Sequence, residues 1–411
     1  RSGRIYLITI PCKKRNICYS RNTMHNSAIR KTVFYLFITL FFVSAPIIVF
    51  YTAGFRWNIT QGFTRTGTMF IASVPKGATV FVNDKEAEET TPVVLTRRTP
   101  GDYSIRIEFD GHLPWSKRLT VTEGTTTFVD NVILFANEDP SLHIAEEIDA
   151  ISWSPNKDAI VWANHQEGWT EIWVSQLNRP ASRLVSRFPL EENVGIEWVT
   201  NEVISIMIDG EETLVRSDGT TSGIELANEF NAKVAVSADM VEIIDGSSAK
   251  VIARLPHGAY SILDERGHYI LLEDTLNNKI ALLNRNDVNE PLLLFEDATS
   301  AQWIGQDVLL FATPFAISIY EPSRHQTNLI TRISEEIHTP QWHPDGKYLF
   351  YATDNELRVI ELDDRDGRRV TVLATMEDIQ SFSVDPKGRR VYVAGDDGID
   401  TGIFRRELYR R

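Results

Sequence analysis

The stretch PQWHPDGKYLF at residues 340–350 decides the fold, because it recurs. The phrase returns at 151–162 as ISWSPNKDAIVW and at 382–393 as FSVDPKGRRVYV. Each copy reads as a short strand ending on an apolar residue, a polar turn, and a second strand rich in β-branched and aromatic residues. Weaker copies stand at 196–203 (IEWVTNEV) and 301–308 (AQWIGQDV), and a degraded one at 261–270 (SILDERGHYI). A third strand follows the well-kept copies, as at Glu171–Val174 and Glu356–Leu362.

Spacing turns the repeat into an architecture. Trp153 to Trp198 is 45 residues, Trp303 to Trp342 is 39, and Trp342 to Val384 is 42. Periods of about 40 residues with about four strands each are the mark of propeller blades. The step from Trp198 to Leu263 is 65 residues, too long for one blade and short for two. Lys233–Ser237 is expected to start a shrunken blade there. Residues 140–411 are therefore expected to form a β-propeller of seven blades, with six as the alternative. The Trp, or its apolar substitute, is expected to end the inner strand and pack between neighbouring blades. A propeller must also close its ring, so Ser141–Ala145 is expected to pair beside Ile403–Leu408. The phrase resembles the Tol-type and WD-like β-propellers of bacterial envelopes, most clearly around Trp153, Trp342 and Val384.

Working outward, residues 64–136 alternate apolar and polar between turn signals. Strands are expected at Thr68–Val74, Ala78–Val82, Val93–Thr96, Tyr103–Phe109, Lys117–Val121 and Thr126–Phe135. Pro75-Lys76-Gly77, Pro100-Gly101 and Asp110-Gly111 turn the chain between them. Six or seven strands in so short a span suit a small β-sandwich. Ser73-Val74-Pro75-Lys76-Gly77-Ala78, with Thr91-Pro92, Pro100-Gly101-Asp102-Tyr103, Gly111 and Trp115, resembles the PEGA domain. Lys76 replaces the Glu of that family's tetrapeptide, and His112 stands where an aromatic often follows the Gly. The resemblance implies a surface-exposed β-fold without catalytic machinery, often beside a membrane anchor, and it hands over no functional residues. Trp115 reads as core rather than as a ligand platform.

Further upstream, Lys31 and Arg56 bracket 24 uncharged residues, TVFYLFITLFFVSAPIIVFYTAGF. About 20 residues at 1.5 Å each cross the ~30 Å hydrocarbon core. Residues 32–55 are expected to be a transmembrane helix in contact with the lipid bilayer, with a cleaved signal peptide as the alternative. Tyr51 and Trp57 lie where interfacial aromatics belong. The basic flank precedes the run, so the N-terminus is expected in the cytoplasm and the body outside the cell membrane. Met24 stands just before Arg30, Lys31 and the apolar run, as a natural start would. Residues 1–23 of the basic tail 1–31 are therefore expected to be an upstream extension or a misplaced start.

The formal net charge of −14 is a sum of unlike parts. Residues 1–31 carry eight basic side chains and no acid, and residues 56–137 carry nine of each. Residues 138–411 hold 25 basic and 47 acidic residues, net −22. An acidic body argues against nucleic acid as a partner, because phosphate contacts need clustered Lys and Arg. Both cysteines, Cys12 and Cys18, lie in the tail, so neither disulfides nor thiol chemistry is available to the body.

The search for chemistry yields no catalytic, cofactor or metal residues, and no cofactor is expected. No Gly-x-Ser-x-Gly elbow, His-Glu-x-x-His or Walker loop occurs. His338, His343 and Asp345 form the nearest thing to a cluster, but residues 344–346 are the repeat's turn, expected to be solvated. Asp363, Asp364, Asp366 and Gly367 lack the spacing of an EF-hand loop. Asp396, Asp397 and Asp400 read as a loop with a weak cation site as the alternative. Asn58-Ile59-Thr60 has the form of a glycosylation sequon. The sequence thus reads as a single-pass, non-enzymatic binding or scaffold protein of the bacterial cell envelope. It presents an acidic propeller to an unknown protein or glycan partner on the loop face around the channel. The contrasting reading is a propeller enzyme acting on cell-wall or exported glycans.

Overall fold

A computed structural model describes residues 26–52, 54–58, 62–190, 194–222, 224, 230–237, 240–286, 292–338 and 340–409. Most of the basic tail, both cysteines, and Ile59 and Thr60 of the sequon lie outside the described residues. By contacts the chain falls into two units. One comprises 1–69, 95–101 and 121–127; the other comprises 70–94, 102–120 and 128–411.

The smaller unit holds the one described α-helix, α1, at Asn26–Thr52. Its stretch Ile29–Thr52 is 24 residues long and apolar enough to cross a membrane. At 1.5 Å per residue that is about 36 Å. Its large side chains find no core: Phe37 is 66% exposed and Phe42 70%. The helix starts earlier and ends earlier than the apolar run 32–55. The early end has a local cause. Gly54 adopts φ +86°, which an L-residue resists, and its N–H bonds back to the Tyr51 carbonyl at 3.3 Å. A hairpin, Phe55–Asn58 with Gly62–Arg65, follows at once.

The small domain has two sheets. Their strand orders are Val93–Arg98, Gly67–Val74, Thr126–Ile133, and Lys85–Glu86, Thr79–Val82, Gly101–Glu108, Trp115–Val121. Period-two patterning sets their faces. In Gly67–Val74 every second residue is buried, and in Trp115–Val121 burial alternates strictly as Trp115, Lys117, Leu119 and Val121. That register puts a lysine on the buried face.

Among the described residues, 141–407 forms seven antiparallel sheets of three or four strands. The sixth shows the rule: Gln341–Trp342, Tyr348–Ala352, Glu356–Glu361 and Val370–Thr375, in chain order from inside to outside. The seventh is completed from the other end of the chain. Ser141–Ala145 pairs antiparallel with Thr401–Glu407, Ser141 opposite Arg405 and Ala145 opposite Gly402. The expected closing strand is thus present. Apolar clusters join neighbours: Trp198 packs with Ile172 and Ile204, Trp303 with Leu271 and Leu309, and Trp342 with Leu310 and Leu349. Each conserves the role the sequence assigns it, a wedge between adjacent sheets.

The long interval after Trp198 holds two three-stranded sheets. Val194–Trp198, Val203–Ile208 and Glu211–Arg216 form the second, and Ala232–Ser237, Met240–Asp245 and Val251–Leu255 the third. The third sheet enters in the opposite sense. The Ala232 N–H donates to Glu265 near the end of the neighbouring strand Tyr260–Arg266, at 2.9 Å, and the Ala259 N–H to Asp274 at 3.1 Å.

Candidate functional site

An antiparallel meander has two ends. In the four-stranded sheets, turns after the first and third strands lie at one end, and turns after the second strand and the links between sheets lie at the other. The three-stranded second sheet finishes at the first end, so the third sheet starts there and its turn 246–250 lies there too. The two ends of this propeller differ in what covers them and in what they carry.

The first end is occupied by the small domain, within the larger unit. Trp115, 4% exposed, donates its indole N–H to Glu361 at 3.1 Å. Lys117 Nζ lies 3.3 Å from the Glu361 carboxylate and 3.7 Å from that of Asp363, and donates to the Asp363 carbonyl at 2.7 Å. The Lys117 and Glu361 side chains are only 2% and 9% exposed. The Arg118 N–H donates to Asp366 at 2.7 Å, and Arg365 donates to the Phe128 carbonyl at 3.0 Å. Lys347 pairs with Asp130 at 3.0 Å. Phe135 packs edge-on against Tyr348 and Phe350. Burial, seconded by Glu361, pushes the Tyr348 phenol well above the usual tyrosine range, while its oxygen accepts the Ile133 N–H at 3.0 Å. Burial alone would raise the Asp363 carboxyl. Hydrogen bonds from Arg365 and the charge of Lys117 outweigh it and hold the group below its ordinary value.

The acid-rich loop at 363–366 is therefore a docking loop for the small domain. The other sequence-flagged groups are kept apart or turned inward. His338 pairs with Asp354 at 3.0 Å. His343 lies at the docked end, in the turn that also carries Lys347, only 2% exposed, with Nε2 2.9 Å from the Gly388 carbonyl. Residues 344–346 of that turn are exposed, as expected; His343, just before them, is buried as a clasp to the next sheet. Asp396 accepts from the Gly398 N–H, and Asp397 from the N–H groups of Ile399 and Asp400, so these acids cap their own turn. Among the described residues no group of three or more His, Cys, Asp or Glu is placed to hold a metal ion.

The second end is open. A cavity of about 400 Å³ lies there, lined by Ile151, Trp153, Thr299, Glu336, Gln341, Gln380 and neighbours. Its walls come from the inner strands of the first, sixth and seventh sheets and from links between sheets. Polar side chains stitch these strands in sequence. Gln302 donates to the Pro340 carbonyl at 2.6 Å, Gln341 to that of Phe382 at 2.6 Å, and Gln380 to that of Ile148 at 3.3 Å. Gln302 and Gln341 each directly precede the repeat's Trp and reach the equivalent carbonyl of the next sheet. Sequence reasoning assigned the wedge to the Trp and missed its neighbour. The recurring QW at 302–303 and 341–342 was the available signal. A second cavity, of about 430 Å³, shares Thr299 and is lined by Asp274, Lys279, Asp297 and Pro314.

Charge divides between the ends. Among the described residues, turns and links of the open end carry twelve acidic residues and no lysine or arginine. Those of the docked end carry nine acidic and ten basic residues. The excess of acid in the described turns thus falls on the end that the described residues of the small domain leave uncovered.

Comparison with known families fits this architecture. Residues 66–133 match the model of the PEGA domain. The chain is a mainly β protein that joins a PEGA domain to a β-propeller, behind one N-terminal helix long and apolar enough to cross a membrane. Its distant fold likenesses among solved structures include the C-terminal WD40 domain of Sif2, at 12% identity and a TM-score of 0.37, over 84% of this chain and 95% of that one. A chain of the mitotic checkpoint complex is similar over 66% of this chain and 91% of its own, at 11% identity and a TM-score of 0.43. A chain of Kuenenia stuttgartiensis hydrazine synthase is similar over 64% and 97%, at 11% identity and a TM-score of 0.38. No curated protein matches the chain by sequence.

Proposed function

We propose that the protein is a single-pass bacterial envelope protein whose propeller is a non-catalytic binding or scaffold platform. In this reading the helix within 32–55 spans the cell membrane, the basic tail 1–31 is cytoplasmic, and the PEGA domain (64–136) and propeller (140–411) are outside. The seven sheets are the seven blades of one ring, and the partner sits on the open loop end. The observation that supports it is the division of labour between the two ends. The PEGA domain covers one end through a buried lysine–carboxylate contact, and the other keeps an uncovered cavity at its centre.

The test is photocrosslinking in living bacteria that express the full chain. A photoreactive residue replaces Leu276 or Phe315 on the open end, or Lys387 on the docked end. The expected result is discrete adducts from the open-end positions, together with digestion of the body by protease added to spheroplasts. Adducts confined to Lys387, or a body shielded from external protease, would overturn the reading. Turnover of any glycan or peptide by the purified chain would overturn its non-catalytic part.

A further inference from the structure

We infer that the open end of the propeller docks a cationic polypeptide segment that also presents large apolar side chains. The inference rests on the platform reading and names the class of partner. Two independent features converge on this end.

The first is charge. An overall acidic body spreads acid everywhere by default, yet the docked end is balanced. Only the open end lacks Lys and Arg among its described turns. Several of its acids are already used, as Glu335 is by Arg358 at 2.6 Å. Others are not: Glu146, Glu147, Glu167 and Glu336 form no ion pair among the described residues, and Glu336 lines the cavity.

The second is apolar exposure. Large apolar side chains exposed singly on a surface are ordinary. Here, however, their distribution is one-sided. Among the described turns and links of the propeller, four carry an exposed large apolar residue: Leu190 at 52%, Leu276 at 58%, Phe315 at 51% and Ile399 at 88%. All four lie at the open end, and they come from different sheets around the ring. The docked end contributes none among its described turns.

Together these features exclude most occupants. A second copy of the same face would oppose acid to acid, which costs several kcal/mol at an interface. An anionic lipid surface, a nucleic acid or an acidic glycan meets the same repulsion. A neutral glycan makes no use of the missing cations. The chain's own basic tail lies across the bilayer in the proposed topology. A polypeptide carrying Lys or Arg together with Leu, Phe or similar residues satisfies both features. The charges would steer its approach and the apolar contacts would slow its release. The central cavity, at about 400 Å³, falls within the size range of ligand pockets and admits an inserted side chain beside Glu336.

The test uses the full chain in nanodiscs of neutral phosphatidylcholine and three short labelled peptides. One is an amphipathic Lys–Leu helix, one replaces Leu by Ser, and one replaces Lys by Glu. The Lys–Leu peptide is expected to bind, weakening as salt rises. The triple variant E146Q/E147Q/E336Q and the triple variant L276S/F315S/I399S are each expected to weaken it by about tenfold or more, ~1.4 kcal/mol. Each should leave the melting curve unchanged, because all six side chains are surface groups. Lys387→Gln on the docked end should bind as the parent does. Equal binding of the Lys–Ser or Glu–Leu peptide would overturn the inference, as would full affinity in either triple variant or no binding at all. Crosslinks from the open end in cells, combined with failure of the peptide, would refute the partner class and leave the platform standing. Absence of such crosslinks would remove the platform itself.

Discussion

Lys117 offers the sharpest test of how the PEGA domain is fixed to the propeller. The perturbation is Lys117→Met, which keeps the stem's packing and deletes the charge. Glu361 then retains only the Trp115 indole, at 3.1 Å, in a site where its side chain is 9% exposed. Removing one member of a buried ion pair typically costs 3–5 kcal/mol, because a charge is left without its partner in a dry site. An exposed pair would cost about 1 kcal/mol or less. Lys117 also donates to the Asp363 carbonyl at 2.7 Å, so the loss belongs to the upper part of that range rather than the lower. The assay is native-state hydrogen exchange of the amides in Trp115–Val121, in the full chain held in micelles. A cost of ~3–5 kcal/mol raises exchange through opening of this contact by roughly 10²–10³-fold or more. The second arm is the double variant K117M/E361L. Replacing both ions by apolar groups removes the stranded charge, so the double variant should be more stable than Lys117→Met alone by about 2 kcal/mol or more. Exchange in Lys117→Met within tenfold of the parent would refute the reasoning. So would a double variant whose cost equals the sum of the two singles.

Four further outcomes can be checked on the same protein. Truncation after Gly402 removes Ile403, Phe404 and Leu408, each at most 1% exposed, and opens the ring. At about 2–4 kcal/mol per buried side chain, the loss rivals a whole domain's stability, so gel filtration should show an expanded or aggregated product. Gln341→Ala strands the Phe382 carbonyl and the Val384 N–H, both bound to that side chain at 2.6 and 3.1 Å. Urea titration should show a loss of about 1–3 kcal/mol. His143, in the closing strand, bonds the Leu177 carbonyl at 3.0 Å, and burial holds its pKa below the usual histidine value. The unfolded chain therefore takes up the proton first. Its contribution is full above pH ~6.5 and is lost as pH falls through the folded value, so His143→Gln should flatten the melting temperature across that window. Asp363, also lowered, contributes above pH ~3.9 and loses that contribution as pH falls through its folded pKa. Asp363→Asn should remove the acid-side slope of exchange in Trp115–Val121.

Much of this fold is written in local patterns. The copies around Trp153, Trp342 and Val384 give strand, turn and strand because their chemistry is short-range, and the ring follows from their spacing. The closing pair of Ser141–Ala145 with Thr401–Glu407 was legible from the need to close that ring. What escaped had its cause far away in sequence. Lys117 reads as the polar start of a strand, and only register shows that it shares a face with Trp115 and Leu119. Its partner Glu361 stands 244 residues later, in the strand Glu356–Glu361. The acids at 363–366 look like a cation loop until Lys117, Arg118 and Arg365 are seen to use them. The turn 344–346 is exposed as its sequence reads, but the burial of His343 just before it escaped because its acceptor, the Gly388 carbonyl, belongs to the next sheet. The candidate site was the least legible part. No single turn is unusual; the asymmetry arises only when turns are sorted by the end of the ring on which they fall.

The junction and the charge asymmetry bear on one another. Were the PEGA domain joined by a free linker, either end of the propeller could meet a partner, and a charge bias at one end would carry little meaning. The contact around Lys117, Glu361, Tyr348 and Phe135 is instead buried, with an ion pair whose loss is costly. It occupies the end where basic and acidic turn residues balance and leaves uncovered the end where they do not. The basic groups of the docked end are in part consumed by that contact, as Lys347 is by Asp130 and Arg369 by the Pro114 carbonyl. The open end therefore owes its uncompensated charge to the absence of bases in its turns, while the docked end needs its bases to hold the small domain. The proposed platform role accounts for both facts: one end is held by the small domain, and the other is left to meet a partner.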